Sequence, residues 1–196
     1  MSDLSKFTGP GCKLLRALKA GTVLVAIAAA TVTFDSSVMA GPQYVDESGY
    51  AASGYDVVAY FDLEQAPVGE KQPAAVPGKS WITAEYNGAT FAFSSEENRD
   101  TFVADPARYA PQYGGFCAYG VTHGGKAPGN PHLWRIVDGK LYLNLQTSIV
   151  ELWEEDIEGL IEDAEQKWTA IADAPPKSER PVPELDITLA PLKGQD

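Results

Sequence analysis

The chain has 196 residues, of which 27 are acidic and 15 basic, and its formal net charge at pH 7 is −12. A negative field of this size repels nucleic acid and anionic lipid, so neither is expected as a partner. The length suits a single domain with a core of its own.

Residues 1–40 have the pattern of a cleaved signal peptide. A basic stretch at 13–19 precedes an uncharged apolar run at 21–33, and Val38 and Ala40 fit the −3 and −1 positions of a signal-peptidase site. The apolar run is shorter than the about 20 residues that span a bilayer, although an uncleaved anchor is the alternative. We therefore expect a periplasmic or secreted protein that has no membrane segment after cleavage.

Cleavage would leave Cys117 as the only thiol of a mature chain with 11 basic and 25 acidic residues and a net charge of −14. Without a second cysteine, the core has to stabilise the fold with no internal disulfide. Cys117 is then either buried and inert or a functional group.

Residues 41–53 are polar, which predicts a lead-in ahead of a domain at 54–168. The apolar stretch at 54–61 fits a short strand or a buried helical turn. The prolines and glycines of residues 64–79 predict a loop.

Two β-hairpins are predicted from their turns. The first joins apolar runs at 80–86 and 89–94 through Asn87-Gly88, and the second turns at Asp138-Gly139. Asn-Gly and Asp-Gly tolerate the positive φ angles of a type I′ turn, which makes them strong hairpin signals.

Two helix starts are predicted at Ser94 and Ser148, because each serine is followed three residues later by a glutamate, as in a capping box. The first helix would place Phe102 and Val103 in the core. The second would be one long amphipathic helix that runs to Trp168.

The proline-rich segment at 169–196 predicts an extended or flexible tail. Together the elements predict an α+β fold: a small single domain of two antiparallel β-hairpins packed with helices.

Cys117, His123 and His132 lie within sixteen residues of one another, in a segment rich in glycine and proline. Thiolate and imidazole groups bind soft and borderline metals, so three such ligands would suit copper or zinc with one open position. The predicted metal site is therefore Cys117, His123 and His132, although their spacing matches no established metal motif.

Other interpretations of the same residues stay open. Cys117 would also serve as the reactive group of a redox or nucleophilic protein, with a partner molecule supplying the second thiol. In the third interpretation Cys117 fills a gap in the core, His123 is a solvated loop residue, and His132 caps a strand. The protein is then a non-catalytic interaction module or binds a small molecule; whether it is an enzyme, and which protein partner it has, are left open.

Several stretches of the chain resemble the YHS-domain family, in an exported bacterial subfamily of unassigned function. They are GYDVVAYF at 54–61, YNGATFAFSSEEN at 86–98, DPARYAP at 105–111, YGGFCA at 113–118 and DGKLYLN at 138–144. The resemblance covers roughly residues 54–168. It implies a metal-handling module, but it does not imply one particular activity, because the family has no single activity.

The resemblance also has a departure. Metal-handling relatives carry cysteines at positions that match Ala59, Ser94 and Asn98, and none of these three is a soft metal ligand. The resemblance therefore implies that any metal site has moved to Cys117. Some relatives similar to this chain are described as selenoproteins, which would favour redox or soft-metal chemistry at that position.

Overall fold

The computed structural model describes residues 42–175, and the predictions for a signal peptide at 1–40 and for the tail beyond Pro175 lie outside these residues. The elements are β1 Lys79–Tyr86, β2 Ala89–Phe93, α1 Glu96–Ala104, α2 Pro106–Tyr109, α3 Ala118–Thr122, β3 Asn130–Val137, β4 Lys140–Asn144, α4 Thr147–Glu154 and α5 Ile157–Ile171. Short 3₁₀ turns occur at Ala52–Gly54, Ala59–Asp62 and Gln112–Gly115. The predicted α+β class is confirmed.

Both predicted hairpins are present as two-stranded antiparallel sheets, β1 with β2 and β3 with β4. The φ angles of Asn87 and Gly88 are 49° and 75°, and those of Asp138 and Gly139 are 49° and 72°. These are the positive φ angles that the turn dipeptides predict, so local chemistry determines both turns.

The first helix begins one residue later than predicted. Ser95, not Ser94, caps α1 by accepting the backbone N–H of Asn98 at 3.1 Å. Ser94 instead donates its hydroxyl to the buried carboxylate of Asp56. Phe102 is buried as predicted, but Val103 is exposed, because α1 turns only one face towards the core.

The predicted long C-terminal helix is two helices, which corrects the sequence-based boundary. α4 is preceded by Gln146 rather than by Ser148, and the chain leaves helical geometry at Asp156, whose side chain caps α5 by accepting the N–H of Gly159. The break turns Trp153 and Trp168 into the same cluster of buried aromatic residues.

Two groups of buried side chains stabilise the domain. In the first group, side chains of the N-terminal turns and of α1 pack against both hairpins. In the second group, side chains of α3, β4, α4 and α5 pack around Tyr113, and this group includes Tyr142 and the two tryptophans. The predicted lead-in takes part, since Ala51 and Ala52 are buried and Tyr44 packs on Phe116 with ring centroids 5.4 Å apart.

A strap at residues 65–75 runs along β3 and is held there by side chains. Gln65 exchanges two hydrogen bonds with the backbone of Ile136, and the indole N–H of Trp134 donates to Pro73 O at 2.9 Å. Arg135 donates to the carbonyls of Ala66 and Pro67. These bonds satisfy backbone groups of a segment whose composition predicts only a loop.

Lys126 is buried and donates to Ala172 O at 2.7 Å and Ala174 O at 2.6 Å, at the C-terminal end of α5. Because these are charge-assisted bonds to carbonyls just beyond Ile171, where α5 ends, we expect Lys126→Met to lower the free energy of unfolding by about 2 kcal/mol. Lys140→Met is the control, since its ion pair with Glu165 is exposed and contributes about 0.5 kcal/mol or less. Urea denaturation of both variants measures the difference, and equal losses would contradict this role for Lys126.

In the part of the chain that the structure describes, residues 42–175, no helix has the length and apolar character needed to cross a membrane.

Candidate functional site

Cys117 lies at the start of α3, two residues after Gly115, where the preceding 3₁₀ turn ends. Its side chain is 2% exposed, and its sulfur accepts the N–H of Gly120 at 3.4 Å, as the N-cap of the helix. The thiol hydrogen points to Asn144 Oδ1, 3.5 Å from the sulfur. The backbone of Cys117 is held by Ala127 and bridges to Leu143 on β4.

Burial raises the pKa of the Cys117 thiol, and the backbone N–H groups of Gly120, Leu145 and Tyr119 offset this effect only in part. A thiol that donates to an amide oxygen is in its protonated form, which is neither the nucleophile nor the metal ligand. Cys117 is therefore a buried thiol in its protonated form.

His123 is exposed at the opposite end of α3 from Cys117. Its Nδ1 lies 2.8 Å from Thr122 Oγ1 and 3.1 Å from Tyr119 O, so this nitrogen is engaged by groups of α3 itself. Its ring also lies on that of Tyr119, with centroids 4.7 Å apart. The step of six residues from Cys117 to His123 corresponds to about 9 Å of helical rise between their backbones.

His132 lies on β3 and uses both ring nitrogens within the domain. Its Nδ1 accepts the backbone N–H of Ala75 at 3.3 Å, and its Nε2 lies 3.1 Å from the hydroxyl of Tyr55. Because Nδ1 accepts, Nε2 carries the hydrogen in the neutral ring. His132 thus holds the end of the strap to β3.

The donor set does not fit a three-ligand copper or zinc centre. Cys117 is protonated and buried, both nitrogens of His132 are engaged, and His123 lies at the far end of α3. Among residues 42–175, no group of three or more His, Cys, Asp or Glu side chains is placed to hold a metal ion. The three predicted ligands therefore have three separate environments.

Two buried asparagines connect the surroundings of Cys117 and His132. Asn144, which accepts from the thiol, pairs across the hairpin with Asn130, whose Oδ1 accepts the N–H of His132 at 2.9 Å. Gly129 permits this arrangement, because a Cβ there would lie 2.5 Å from Gly115 O and 2.7 Å from Leu143 Cβ. The two asparagines occupy the open end of the second hairpin.

A cleft of about 570 Å³ opens beside Asn130, between the strap, β3 and the first turns of α4. It is lined by Glu70, Lys71, Asn130, His132, Thr147 and Glu151, among others. A cleft of this volume suits a small organic molecule.

The strap wall of this cleft is held by a buried ion pair. Arg135 donates to Glu154 Oε1 from Nε at 2.9 Å and also from Nη2, and both side chains are 7% exposed. The other oxygen of Glu154 accepts the N–H of Gly69 in the strap at 2.7 Å.

Asn130 lines the cleft, although no sequence motif singles it out. It is 0% exposed, and its Nδ2 has no hydrogen-bond partner, whereas its Oδ1 is held by His132. A buried donor without an acceptor costs about 1–3 kcal/mol, and other buried side-chain atoms of residues 42–175, Asn87 Nδ2 among them, share this state. The available signal was a polar residue between Gly129 and Pro131, at the start of an apolar strand.

Asp56, which no sequence motif singles out either, lies where the resemblance implies that relatives bind metal. Its carboxylate accepts the backbone N–H groups of Val58, Ala59 and Ser94, the hydroxyl of Ser94 and the amide of Asn98. Ala59, Ser94 and Asn98 are therefore neighbours in space, as the resemblance implies, but they surround a buried carboxylate. An acidic residue inside an apolar stretch was the available signal.

No curated protein and no solved structure matches the chain. One family model matches residues 72–113, which extend from the strap through β1, β2, α1 and α2 to Tyr113. This segment includes Ser94 and Asn98, and it excludes Asp56 and the three predicted metal ligands. The family is associated with the handling of metals, copper in particular. Residues 72–113 of the chain therefore match the model of the YHS domain family.

Proposed function

We propose that this protein is an exported, non-enzymatic binding protein that holds a small molecule in the cleft between the strap, β3 and α4. Cys117 is structural in this proposal: it caps α3 and supports Asn144 behind the hairpin. The observation that carries the proposal is the cleft of about 570 Å³, whose wall includes Asn130. The unpartnered Nδ2 of Asn130 is buried, so contact with a ligand requires that this side chain moves.

The surroundings of Cys117 support this reading over a redox protein. A reactive cysteine needs a stabilised thiolate and access to its substrate, but burial raises the pKa of Cys117 and leaves 2% of the residue exposed. No other cysteine lies within residues 42–175 to resolve a mixed disulfide.

Native mass spectrometry of the protein purified from its own export compartment tests the binding proposal. We expect a small molecule to remain bound, and Asn130→Asp to release it, because aspartate keeps the oxygen that holds His132 but replaces the donor with an acceptor. Asn87→Asp is the matched control, since Asn87 lies in the β1–β2 turn. A protein that retains no molecule and takes none from a small-molecule extract of that compartment would overturn the proposal.

A second candidate function is the handling of a soft metal through Cys117. It is favoured by the YHS match at residues 72–113, and it requires that α3 rearranges to expose the thiol, because the present donor set does not fit such a centre. The cysteine itself lies outside the matched segment.

Titration of the protein with copper(I) and with zinc under anaerobic conditions decides between the two, alongside alkylation of the thiol. We expect no stoichiometric binding that depends on Cys117, and slow alkylation at pH 7 that becomes fast only in urea, because the thiol is buried and protonated. Submicromolar one-to-one binding that is lost in Cys117→Ser would establish metal handling instead.

The raised pKa of Cys117 also predicts a pH dependence of stability. The unfolded thiol ionises near pH 8.5, whereas the folded thiol keeps its proton to higher pH. The stabilisation is therefore complete below about pH 8.5 and is lost as the pH rises through the folded pKa. Cys117→Ala should remove this part of the alkaline loss, which urea denaturation at pH 7 and pH 10 measures.

A further inference from the structure

We propose that the outer edge of β1 is the interface of a homodimer, in which the β1 strands of two copies of this chain pair antiparallel. This surface belongs to the first hairpin, and none of the residues that line the cleft lies on β1. The proposal therefore goes beyond the binding of a small molecule. It follows from the open backbone of the edge and from the order of the side chains along it.

β1 is the strand whose outer edge is left open in the part of the chain that the structure describes. On β2, Thr90 O accepts the N–H of Ala51; the strap covers β3, and Cys117 bridges to β4. Within residues 42–175, the backbone of residues 80–86 bonds to no segment other than β2. An open strand edge is a template on which another strand pairs.

The backbone groups of this edge point outwards at alternate residues. A two-residue turn follows Tyr86, so the bonds to β2 are made by Tyr86 and Ala84. The N–H and C=O groups of Thr83 and Glu85 therefore point away from β2. The regular pairing begins only at Thr83, so Trp81 also has no partner on β2.

The solvent side of β1 carries a basic, an aromatic, a β-branched and an acidic side chain, in this order: Lys79, Trp81, Thr83 and Glu85. Trp81 is 65% exposed, the largest exposure of any large apolar side chain in residues 42–175. Lys79 forms no ion pair within these residues, and the carboxylate of Glu85 accepts only the hydroxyl of Thr90. Exposed aromatic residues are enriched where proteins associate.

This order of side chains is complementary to itself when it is reversed. In a two-fold symmetric antiparallel pair, the register that sets Lys79 opposite Glu85 of the second copy occurs twice. The same register sets Trp81 opposite Thr83, also twice. Opposite charges, and an aromatic residue beside a β-branched one, are pairs that stabilise sheets. The outward N–H and C=O groups of the two copies also meet in this register.

Other registers lose these pairs. A shift of two residues sets Thr83 opposite itself and Trp81 opposite Glu85, and Lys79 then has no acidic residue opposite it. A shift of one residue sets the outward groups of one copy against residues that already bond to β2. The charges of the edge therefore favour a second copy as the partner and select the register.

Sedimentation equilibrium of the exported protein tests the proposal. The acidic chains repel each other at long range, but about 0.15 M salt screens this repulsion beyond about 8 Å. Because a single pair of strands makes a small interface, we expect a weak, reversible dimer at about 100 µM protein.

The fluorescence of Trp81 gives a second readout. The other three tryptophans are at most 2% exposed, so quenching by acrylamide reports mainly on Trp81. Quenching should decrease as the protein concentration rises and the dimer forms, because Trp81 packs on Thr83 of the second copy.

Two charge variants identify the interface. Lys79→Glu and Glu85→Lys each set like charges opposite one another, so each should raise the Kd of the dimer about tenfold or more, which corresponds to about 1.4 kcal/mol. An equimolar mixture of the two variants restores both pairs of opposite charges and should form a heterodimer. Lys167→Glu is the control, because it makes the same change of charge at an exposed position of α5.

Three results would overturn the proposal. The first is a protein that stays monomeric at about 500 µM, which would leave the edge of β1 open or available to a different partner. The second is a dimer that Lys79→Glu weakens no more than Lys167→Glu does, since it would form through another surface. The third is a mixture of the two charge variants that does not associate more tightly than either variant alone.

Discussion

Asp56→Asn is expected to lower the free energy of unfolding by about 3 kcal/mol or more, one of the two largest effects of a single substitution in this protein. The carboxylate is completely buried, and its two oxygens accept five hydrogen bonds. An asparagine has one oxygen, so its amide hydrogens would face donors whichever way the side chain is turned. At least one backbone N–H would then lose its acceptor inside the core.

Urea denaturation of Asp56→Asn measures the loss, with Asp62→Asn as the control. Asp62 is exposed in the 3₁₀ turn at Ala59–Asp62, and its substitution should change stability by about 0.5 kcal/mol or less. A loss below about 1 kcal/mol for Asp56→Asn would show that the network contributes little. A large loss would establish Asp56 as the residue that joins the N-terminal turns to β2 and α1.

Arg135→Met is expected to cost about 3–5 kcal/mol, because it leaves Glu154 buried without its positive partner. The substitution also removes the bonds from Arg135 to Ala66 O and Pro67 O, so the strap loses part of its attachment to β3. Because the strap forms one wall of the cleft, ligand binding should weaken together with stability.

The control for Arg135 is Arg99→Met. Arg99 pairs with Asp100 at the surface, where the two side chains are 31% and 69% exposed, so its loss should be about 0.5 kcal/mol or less. The double variant Arg135→Met with Glu154→Met should recover part of the stability, because no unpaired buried charge remains. If Arg135→Met and Arg99→Met lose equal amounts, the buried pair is not what holds the strap.

The elements that the sequence predicts well are those governed by neighbours along the chain. The turn residues Asn87 and Gly88 require positive φ angles, and Asp138 and Gly139 do the same, so both hairpins follow from local chemistry. Helix boundaries were predicted less accurately. The sequence predicts that Ser94 caps the first helix, but its hydroxyl bonds to Asp56, which is 38 residues away in the chain.

The site was predicted less well, because the type of a residue and its spacing in the sequence do not show where its side chain points in the folded protein. Cys117, His123 and His132 are close in sequence, yet the first caps α3, the second lies at the other end of that helix, and the third holds the strap. Asn130 and Asp56 were overlooked, because an isolated asparagine or aspartate is ordinarily a surface residue and only burial makes its hydrogen bonds significant.

By itself the sequence determined the α+β class, the two hairpins, the burial of the aromatic residues on the C-terminal helices and the YHS match at residues 72–113. These depend on turn chemistry and on the periodicity of apolar residues, which act over a few residues. Only the tertiary structure decided that Cys117 is a buried thiol, that Asp56 occupies the centre of its hydrogen-bond network, and that Asn130 lacks an acceptor beside a cleft. The physical reason is that pKa, hydrogen-bond satisfaction and access to solvent depend on groups brought together from distant parts of the chain.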